Sequence, residues 1–412
     1  MLILKTYNIF LKIIFSGIWA QLIMIISSVL FARLYSPEDF GTLAYLSGFA
    51  SIIAIVSGWR FDYIAFSKKN EEKYIYNMIP LFLMFLMHLI FLIFAIVSNQ
   101  FFDFFSGKSY WIIFFSFSSS IFYLSTQLLI SIGNYSFFSK VRVFQALLQL
   151  LFGFLLFYLH FINGLIIAYS VSQLLVGFVV YRSYMKTKSD LNIYKLKECF
   201  LFDYKQAGYN TIMVLIQYST PFAPILFGQY LFDSKEVGAF YLISSAIASP
   251  MSIFRRSLLN LFNGELTSVE KAKVLIINFK NKKIVLPFLF LTLITGIIFL
   301  NIYNQELVVL LFGKQWIKYS GYIVPLFVFF FLDMIFQPFT TLLPLWGKQK
   351  VAMLFECLRF LLVYLIVPVT AYLLSFSYFS FFNFYFITTT LVYLLIMLRV
   401  YKLINPPQIK TI

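Results

Sequence analysis

Arginines inside apolar segments are the first residues of this sequence that could do chemistry. Arg60 and Asp62 lie two positions apart in "SGWRFDYIAF", and Arg255 and Arg256 are adjacent in "IFRRSLLN". A charge in an apolar membrane segment is costly and usually faces a bundle interior or a cavity, where a guanidinium can bind an anion through two parallel hydrogen bonds. We therefore predict that these arginines bind an anionic substrate and that Asp62 tempers or gates Arg60. The alternative is that they extend to lipid headgroups and only mark the membrane boundary.

Two carboxylates in the second half of the chain indicate ion coupling. Glu356 and Arg359 are three positions apart in "FECLRF", so on a helix they share a face and can form an ion pair. That pair is either structural or part of a cavity that couples transport to an ion or binds the substrate, which makes Arg359 a further candidate for substrate binding. Asp333 has no oppositely charged neighbour in the sequence. We predict that Asp333 binds a proton or Na⁺.

No motif typical of a metal site, a nucleic-acid site or an enzyme occurs in the sequence. Cys199 and Cys357 have no Cys or His neighbour at metal-ligand spacing. We find no D-x-D or paired-acid motif, so we predict neither catalytic residues nor a resident cofactor. The net charge of +16 could indicate nucleic-acid binding. However, the basic residues lie mainly in short loops between apolar runs, which is typical of a membrane protein.

The elements that must position these residues are apolar helices. Hydrophobic residues make up 61% of the 412-residue chain and charged residues 12%, far outside the range of a soluble domain. A run of about 20 apolar residues is long enough to cross a bilayer as a helix. We predict an all-α integral membrane protein with about twelve transmembrane helices. They cover residues 8–33, 41–66, 77–98, 111–131, 143–160, 161–182, 207–231, 238–262, 284–304, 319–346, 350–374 and 376–401.

The positions of lysine and arginine predict the direction of the chain across the membrane. Of the 32 basic residues, 25 lie on one side of the predicted spans and 5 on the other, while Arg60 and Arg359 lie within helices. Because the cytoplasmic side carries the excess of basic residues, both termini should be cytoplasmic. The longer hydrophilic stretches, 183–206 and 263–283, lie on the same side.

An internal repeat predicts two lobes. The stretch "FARLYSPEDFGTLAYLSGFA" from Phe31 resembles "FGQYLFDSKEVGAFYLISSA" from Phe227, with Gly41 aligned to Gly238. The two stretches match in the same direction and are six spans apart. We therefore predict parallel repeats, which are six-helix lobes related by a pseudo-two-fold axis along the membrane normal and facing a central cleft. The predicted boundaries are 1–190 for the first lobe, 191–206 for a cytoplasmic linker and 207–412 for the second lobe.

Prolines are concentrated in the predicted helices of the second half. Each proline removes a backbone hydrogen bond and can kink its helix. The motif "STPFAP" places Pro221 and Pro224 in the seventh predicted span. We predict a hinge at these two prolines, with a fixed kink as the alternative.

The region around Arg60 resembles a known family. "RLYSPEDFG" followed by "GWRFDYIAF" is similar to the first outside loop and the second-helix end of the Wzx-type flippases for O-antigen and capsule oligosaccharides. In those proteins an R-L-x-x-P-E-x-F-G turn and an L-R-[FY]-[DE]-x-A-I tail recur. The sequence departs from the pattern at Trp59, where the family has Leu, and at Phe66. It keeps Arg33, Leu34, Pro37, Glu38, Phe40, Gly41, Arg60, Phe61, Asp62 and Ala65.

This resemblance implies both a fold and a function. The fold is that of MATE-type multidrug exporters and peptidoglycan-precursor flippases. The function is movement of an undecaprenyl-diphosphate-linked oligosaccharide, an O-antigen or capsule repeat unit, from the cytoplasmic to the periplasmic leaflet of a bacterial inner membrane. The anion bound by Arg60, Arg255 and Arg256 would then be the diphosphate. Expected partners are the lipid-linked oligosaccharide, membrane lipids and other membrane proteins of polysaccharide assembly, and the chain is expected to act as a monomer.

Other functions stay open at this point. A MATE-like cation-coupled drug exporter would need acidic cavity residues for cationic drugs, so the arginines favour an anionic substrate. A membrane-embedded polysaccharide polymerase or ligase is disfavoured because such enzymes work through long outer loops, which this chain lacks. Proton antiport, Na⁺ coupling and downhill flipping are all compatible with the sequence.

The predicted topology can be tested by single-cysteine labelling in a variant that lacks Cys199 and Cys357. A cysteine that replaces Lys108 should react with a membrane-impermeant thiol reagent in intact cells. A cysteine that replaces Lys188 should react only after permeabilisation, because that loop is predicted to be cytoplasmic. Labelling of position 188 from outside intact cells would contradict the topology.

Overall fold

The structure, a computed structural model, describes residues 19–66, 68, 70–101, 109–185, 193–265, 269–270 and 285–404. Nearly all of these residues are helical, and no strand occurs among them. The chain divides into two compact units, Met1–Leu226 and Phe227–Ile412. The lobe boundaries predicted from the sequence stay a prediction, but residues 193–206 of the predicted linker belong to a helix.

The first unit consists of long helices joined by short turns. A 3₁₀ turn over Thr220–Phe222 precedes the last helix in the series. The two units divide within that helix. The helices are α1 (Trp19–Leu34), α2 (Pro37–Val56), α3 (Phe61–Ala65), α4 (Asn70–Phe101), α5 (Ser109–Ser131), α6 (Tyr135–Tyr158), α7 (Gly164–Met185), α8 (Ile193–Ser219) and α9 (Ala223–Leu231).

The helices of the second unit are interrupted more often. Segments of 3₁₀ helix cover Lys314–Tyr322 and Gln337–Thr341, and a π-helical turn covers Leu362–Ile366. Pro338 lies in one of these breaks and Pro368 follows another, as expected for residues that cannot donate a backbone hydrogen bond. The helices are α10 (Ser234–Glu265), α11 (Val285–Ile302), α12 (Asn304–Phe312), α13 (Ile323–Phe336), α14 (Leu342–Leu345), α15 (Gln349–Leu361), α16 (Val367–Leu373) and α17 (Tyr378–Ile404).

The helix lengths establish a multi-pass membrane protein. Within the described residues, ten helical stretches are long and apolar enough to cross a membrane. Helices α11 and α12, bent by 75° to each other, make an eleventh if they count as one broken span. The start of the first predicted span, 8–33, lies outside the described residues. The predicted all-α membrane fold is therefore confirmed, whereas the pseudo-two-fold relation of the lobes stays a prediction.

The second predicted span, 41–66, differs from the structure at both ends. Helix α2 already begins at Pro37, because Ser36 caps it. The Ser36 hydroxyl accepts a hydrogen bond from the Asp39 N–H, and the Asp39 carboxylate accepts one from the Ser36 N–H at 2.9 Å. At its other end α2 stops at Val56.

A tight turn over residues 57–60 separates α2 from α3. Trp59 and Arg60 have φ angles of 48° and 53° there, in the left-handed region, which costs of order 1–3 kcal/mol per non-glycine residue. Gly58 packs so closely on α4 that a Cβ would lie 2.7 Å from a proline side chain. The prediction that Arg60 and Asp62 lie inside a continuous helix is therefore wrong. Arg60 is the last residue of the turn, and Asp62 lies in the first turn of the short helix α3.

An aromatic core holds the helices of the second unit together. Phe329 of α13 stacks on Phe386 of α17 with ring centroids 3.9 Å apart and planes 11° apart. Phe240 of α10 lies 5.3 Å from the ring of Phe382, also on α17. Stacked rings of this kind add about 0.5–1.5 kcal/mol to the burial of their surface. The contacts fix α10, α13 and α17 against one another.

Small residues allow α5 and α7 to pack closely. A Cβ at Gly177 of α7 would lie 3.1 Å from the backbone of Ile121 and Phe122 on α5, and closer still to the Ile121 side chain. Because lipid is as apolar as leucine, close backbone contact of this kind is a main source of helix association in a bilayer. Buried serines on the two helices contribute to the same pattern, namely Ser116, Ser118, Ser120, Ser125, Ser170 and Ser172.

Replacing Gly177 with Ala should destabilise the first unit. We expect a loss of about 1–3 kcal/mol, the usual cost of overpacking, because the backbone of α5 would have to move. The measurement is the thermal unfolding midpoint of the protein in detergent. Gly208→Ala is the control, since no atom lies within 4 Å of a Cβ there, and its midpoint should stay the same or rise slightly. Equal midpoints for the two variants would contradict the close packing of α5 and α7.

Candidate functional site

Arg60, Asp62 and Tyr123 form a buried hydrogen-bonded group at the break after α2. Arg60 Nη1 donates to the Tyr123 hydroxyl, which donates to Asp62 Oδ2 at 3.2 Å. Arg60 Nη1 lies 3.6 Å from the same carboxylate oxygen, and the Arg60 and Asp62 side chains are 12% and 2% exposed. A buried ion pair is tolerated when further hydrogen bonds satisfy it, which is what Tyr123 provides. Tyr123 was not predicted from the sequence, because it lies 63 residues away in an apolar helix.

Arg60 and Asp62 also retain unused hydrogen-bonding capacity. Among the described residues, Arg60 Nε and Asp62 Oδ1 are buried without a hydrogen-bond partner. Each such group costs about 1–3 kcal/mol. Arg60 additionally has a left-handed backbone conformation. Unmet hydrogen bonds and backbone strain of this kind are found at functional sites, which makes the group a candidate ligand site.

Helix α8 holds the break in position from one side. Phe200 of α8 stacks on Phe61 with ring centroids 5.5 Å apart. Close by, Lys68 Nζ pairs with Asp203 Oδ2 at 2.7 Å, and the Tyr76 hydroxyl donates to the same oxygen. Asp203 is a functional candidate that sequence reasoning missed. The available signal was a lone acid among aromatic residues in "FLFDYK".

Asp333 has a partner that the sequence did not reveal. Arg255 Nη1 of α10 donates to Asp333 Oδ2 of α13 at 2.6 Å, across 78 residues of chain. The Arg255 side chain is 30% exposed and that of Asp333 is 9% exposed. Arg256 is exposed, since adjacent residues of a helix point about 100° apart. The two arginines, which are adjacent in the sequence, therefore point in different directions, and Arg255 is the one that pairs with Asp333.

The predicted pair of Glu356 and Arg359 is present and is connected to Asp333. Arg359 Nη2 lies 2.6 Å from Glu356 Oε2, and the Arg359 and Glu356 side chains are 5% and 13% exposed, respectively. Arg359 Nη1 donates to the Tyr393 hydroxyl of α17 at 2.6 Å. The Tyr393 hydroxyl in turn hydrogen-bonds the Asp333 carboxylate. Tyr393 of α17, which sequence reasoning did not identify, thus joins two ion pairs whose members come from three other helices.

The predicted hinge prolines lie at a break in the helical path. Pro221 lies in the 3₁₀ turn Thr220–Phe222, and Pro224 lies in the first turn of α9. The helical hydrogen-bonding pattern therefore changes at this motif, within a span that runs from Tyr194 to Leu231. Both a fixed kink and a hinge stay predictions.

The chemistry available to these groups is anion and proton binding. In each unit an arginine and a carboxylate share a tyrosine hydroxyl, and a phosphate can compete with such a carboxylate for the guanidinium. Among the described residues, no group of three or more His, Cys, Asp or Glu side chains is placed so that it could hold a metal ion.

Comparison with solved structures shows the class of fold. The chain is similar to the lipid II flippase MurJ in an inward closed conformation, with a TM-score of 0.69 and 13% identity over 94% of this chain and 87% of that one. It is also similar to an inward-facing multidrug resistance MATE family transporter of the MOP superfamily, with a TM-score of 0.55 and 13% identity over 95% and 96%. A third match is the MATE multidrug transporter DinF-BH, with a TM-score of 0.53 and 16% identity over 96% and 92%. The protein therefore has a MATE-like membrane fold.

The sequence itself identifies the family. Residues 30–321 match the family model described as Polysaccharide biosynthesis protein. This match covers more than half of the chain, which therefore belongs to the polysaccharide biosynthesis protein family. No match was found among curated protein sequences. The family description does not specify a substrate, so specificity for O-antigen or capsule units stays a prediction.

Replacing Tyr123 with Phe should destabilise the group around Arg60. The variant removes the hydroxyl that accepts from Arg60 and donates to Asp62, at an expected cost of about 1–3 kcal/mol. Tyr63→Phe is the control. The Tyr63 side chain is exposed and its ring, which lies 5.6 Å from the Arg60 guanidinium carbon, is kept. Its effect should stay within about 0.5 kcal/mol. The measurement is the thermal unfolding midpoint of both variants. A Tyr123→Phe midpoint equal to that of Tyr63→Phe would contradict the buried hydrogen-bonded group of Arg60, Asp62 and Tyr123.

Proposed function

We propose that this protein is a flippase that moves a lipid-linked oligosaccharide from the cytoplasmic to the periplasmic leaflet by alternating access. Three observations support this proposal. The family is one of polysaccharide biosynthesis proteins. The fold is shared with a lipid II flippase and with MATE transporters. Both units contain arginine–carboxylate pairs with buried carboxylates, which suit an anionic substrate rather than a catalytic reaction.

The observation that carries the proposal is the state of Arg60. It is held in a strained backbone conformation, is largely buried, and has an Nε atom without a hydrogen-bond partner. A guanidinium in this state can form two parallel hydrogen bonds with a phosphate when it leaves its carboxylate. We propose that Arg60 binds the diphosphate of an undecaprenyl-diphosphate-linked repeat unit. Asp62 then acts as the gate, because it occupies the arginine when no substrate is bound.

The second unit contributes its own residues to this function. We propose that Arg255 and Arg256 contact the diphosphate and that Arg359 supports substrate binding. Asp333 and Glu356 are proposed to couple transport to H⁺ or Na⁺, since each is a carboxylate within an apolar span. Pro221 and Pro224 are the proposed hinge.

The cellular setting follows from the same proposal. The protein would work in the bacterial inner membrane, with both termini in the cytoplasm. It would act as a monomer beside other membrane proteins of polysaccharide assembly. The substrate would be an O-antigen or capsule repeat unit.

A MATE-like drug exporter is the second candidate, favoured by the similarity to MATE transporters. The pairing of the carboxylates weighs against it. Asp62, Asp333 and Glu356 each face an arginine at 2.6–3.6 Å, so a cationic drug would have to displace a guanidinium that cannot lose its proton.

Surface polysaccharide in complemented deletion strains should distinguish a phosphate-binding arginine from one that only marks the membrane boundary. Arg60→Ala and the Arg255→Ala/Arg256→Ala double variant should lose most surface glycan and accumulate the lipid-linked precursor. Arg60→Lys should also be impaired, by about tenfold or more, because lysine keeps the charge but not the two-pronged contact. Arg182→Ala is the control, since Arg182 is an exposed arginine outside the proposed site.

Each variant must first be shown to reach the membrane in equal amounts. Wild-type glycan in the Arg60 and double-alanine strains would rule out diphosphate binding by these arginines. A defect in Arg60→Ala that Arg60→Lys fully rescues would indicate that only the charge matters.

A further inference from the structure

The second unit contains a connected set of charges, and the proposed function does not say how substrate binding and ion coupling are linked within it. Arg255 Nη1 lies 2.6 Å from Asp333 Oδ2, and Arg359 Nη2 lies 2.6 Å from Glu356 Oε2. The Tyr393 hydroxyl accepts from Arg359 and hydrogen-bonds Asp333. The five side chains come from α10, α13, α15 and α17 and form one continuous chain of contacts.

The charges in this set balance. Two arginines face two carboxylates, and a guanidinium does not lose its proton in a protein. The Tyr393 hydroxyl within the set is neutral when protonated, and so is the neighbouring hydroxyl of Tyr385. The remaining charge that acts on the set is Arg256, the exposed neighbour of Arg255 on α10, which keeps its proton throughout and does not titrate with Asp333. Helix α11 and the segment Gln337–Thr341, which also pack on α13, contain no titratable residue. The lysines of the segment Lys314–Tyr322 lie at the other end of α13, more than ten residues from Asp333.

The two arginines differ in their access to a ligand. The Arg359 side chain is 5% exposed and the Arg255 side chain is 30% exposed. A phosphate can therefore reach Arg255 while Arg359 and Glu356 stay paired. If Arg255 turns to the phosphate, Asp333 is left as a buried carboxylate without its cationic partner, a state that carries a large free-energy cost. Uptake of one proton from water removes that charge.

We propose that a phosphate and Asp333 compete for Arg255, so that each binding of a phosphate-bearing lipid is accompanied by uptake of one proton on Asp333. The inference rests on the proposed function and adds its coupling step. The proton comes from water when the anion binds and returns to water when the anion leaves and the Arg255–Asp333 pair forms again. No other bond is made or broken.

The sign of the coupling follows from linkage. The bound state contains one more proton than the free state, so low pH favours binding and high pH opposes it. Affinity should weaken as pH rises, by up to about tenfold per pH unit from Asp333 alone. The ionisation of the diphosphate itself also depends on pH. That contribution is the same in wild type and in a variant without the Asp333 carboxyl, so the difference between them isolates Asp333.

The experiment uses the full chain in lipid nanodiscs with undecaprenyl diphosphate as the probe. The dissociation constant is measured over a range from acidic to mildly alkaline pH, and proton uptake on binding is followed with a pH indicator in weak buffer. Wild type should take up about one proton more than Asp333→Asn and should show the steeper pH dependence. Asp333→Asn should bind at the alkaline end more tightly than wild type, because nothing then competes for Arg255.

Two further variants serve as controls. Asp333→Glu keeps a carboxyl and should keep the proton uptake, which separates loss of the titrating group from misfolding. Glu306→Gln removes an exposed acid outside the set and should behave as wild type.

The outcomes separate this inference from the proposed function. If wild type does not bind undecaprenyl diphosphate at any pH, the proposed function fails. If wild type binds the probe with the same pH dependence and proton uptake as Asp333→Asn, the function stands and the coupling through Asp333 is overturned.

Discussion

The cost of placing a charge in an apolar interior is the constraint on which the described structure depends. Ion pairs neutralise buried carboxylates in both units, and two of these pairs join parts of the chain that are far apart in sequence. Lys68 reaches Asp203 on α8, and Arg255 reaches Asp333 on α13. Removing one partner of a buried pair typically costs about 3–5 kcal/mol, whereas replacing both with apolar residues is often neutral. The pairs therefore act mainly by specifying which helices are neighbours, and they leave guanidinium groups inside the membrane protein where an anionic ligand can use them.

The break after α2 shows how such a group is kept in an unfavourable state. Two consecutive left-handed residues, Trp59 and Arg60, cost about 2–6 kcal/mol together. Aromatic stacking of Phe200 on both Trp59 and Phe61, and the hydrogen bonds of Tyr123, offset that cost. Neither set of contacts satisfies Arg60 Nε. The surroundings thus hold the arginine in place without meeting all of its hydrogen-bonding needs, which is the condition a ligand site requires.

The second unit meets the same constraint in a different way. Tyr393 joins buried and half-buried charged side chains of this unit into one set. The helices of the unit are interrupted by 3₁₀ and π-helical segments. Breaks of this kind are tolerated at membrane depth where neighbouring helices satisfy the freed backbone groups. The first unit keeps long helices packed through small residues such as Gly177. Both units contain an arginine–carboxylate–tyrosine group, although they are built differently around it.

The sequence by itself determined the class of fold and the approximate helices, and it singled out arginines and carboxylates within apolar segments, because hydropathy and the cost of intramembrane charge are properties of short segments. It also predicted the local pair of Glu356 and Arg359, since three-residue spacing on a helix is a local rule. Only the tertiary structure decided that Asp333 pairs with Arg255, and that Arg60 lies in a turn rather than inside a helix. The reason is physical. The partner of Asp333 is 78 residues away, and the turn before Arg60 depends on close packing against α4 and stacking on α8, so neither contact leaves a periodic signal in the sequence.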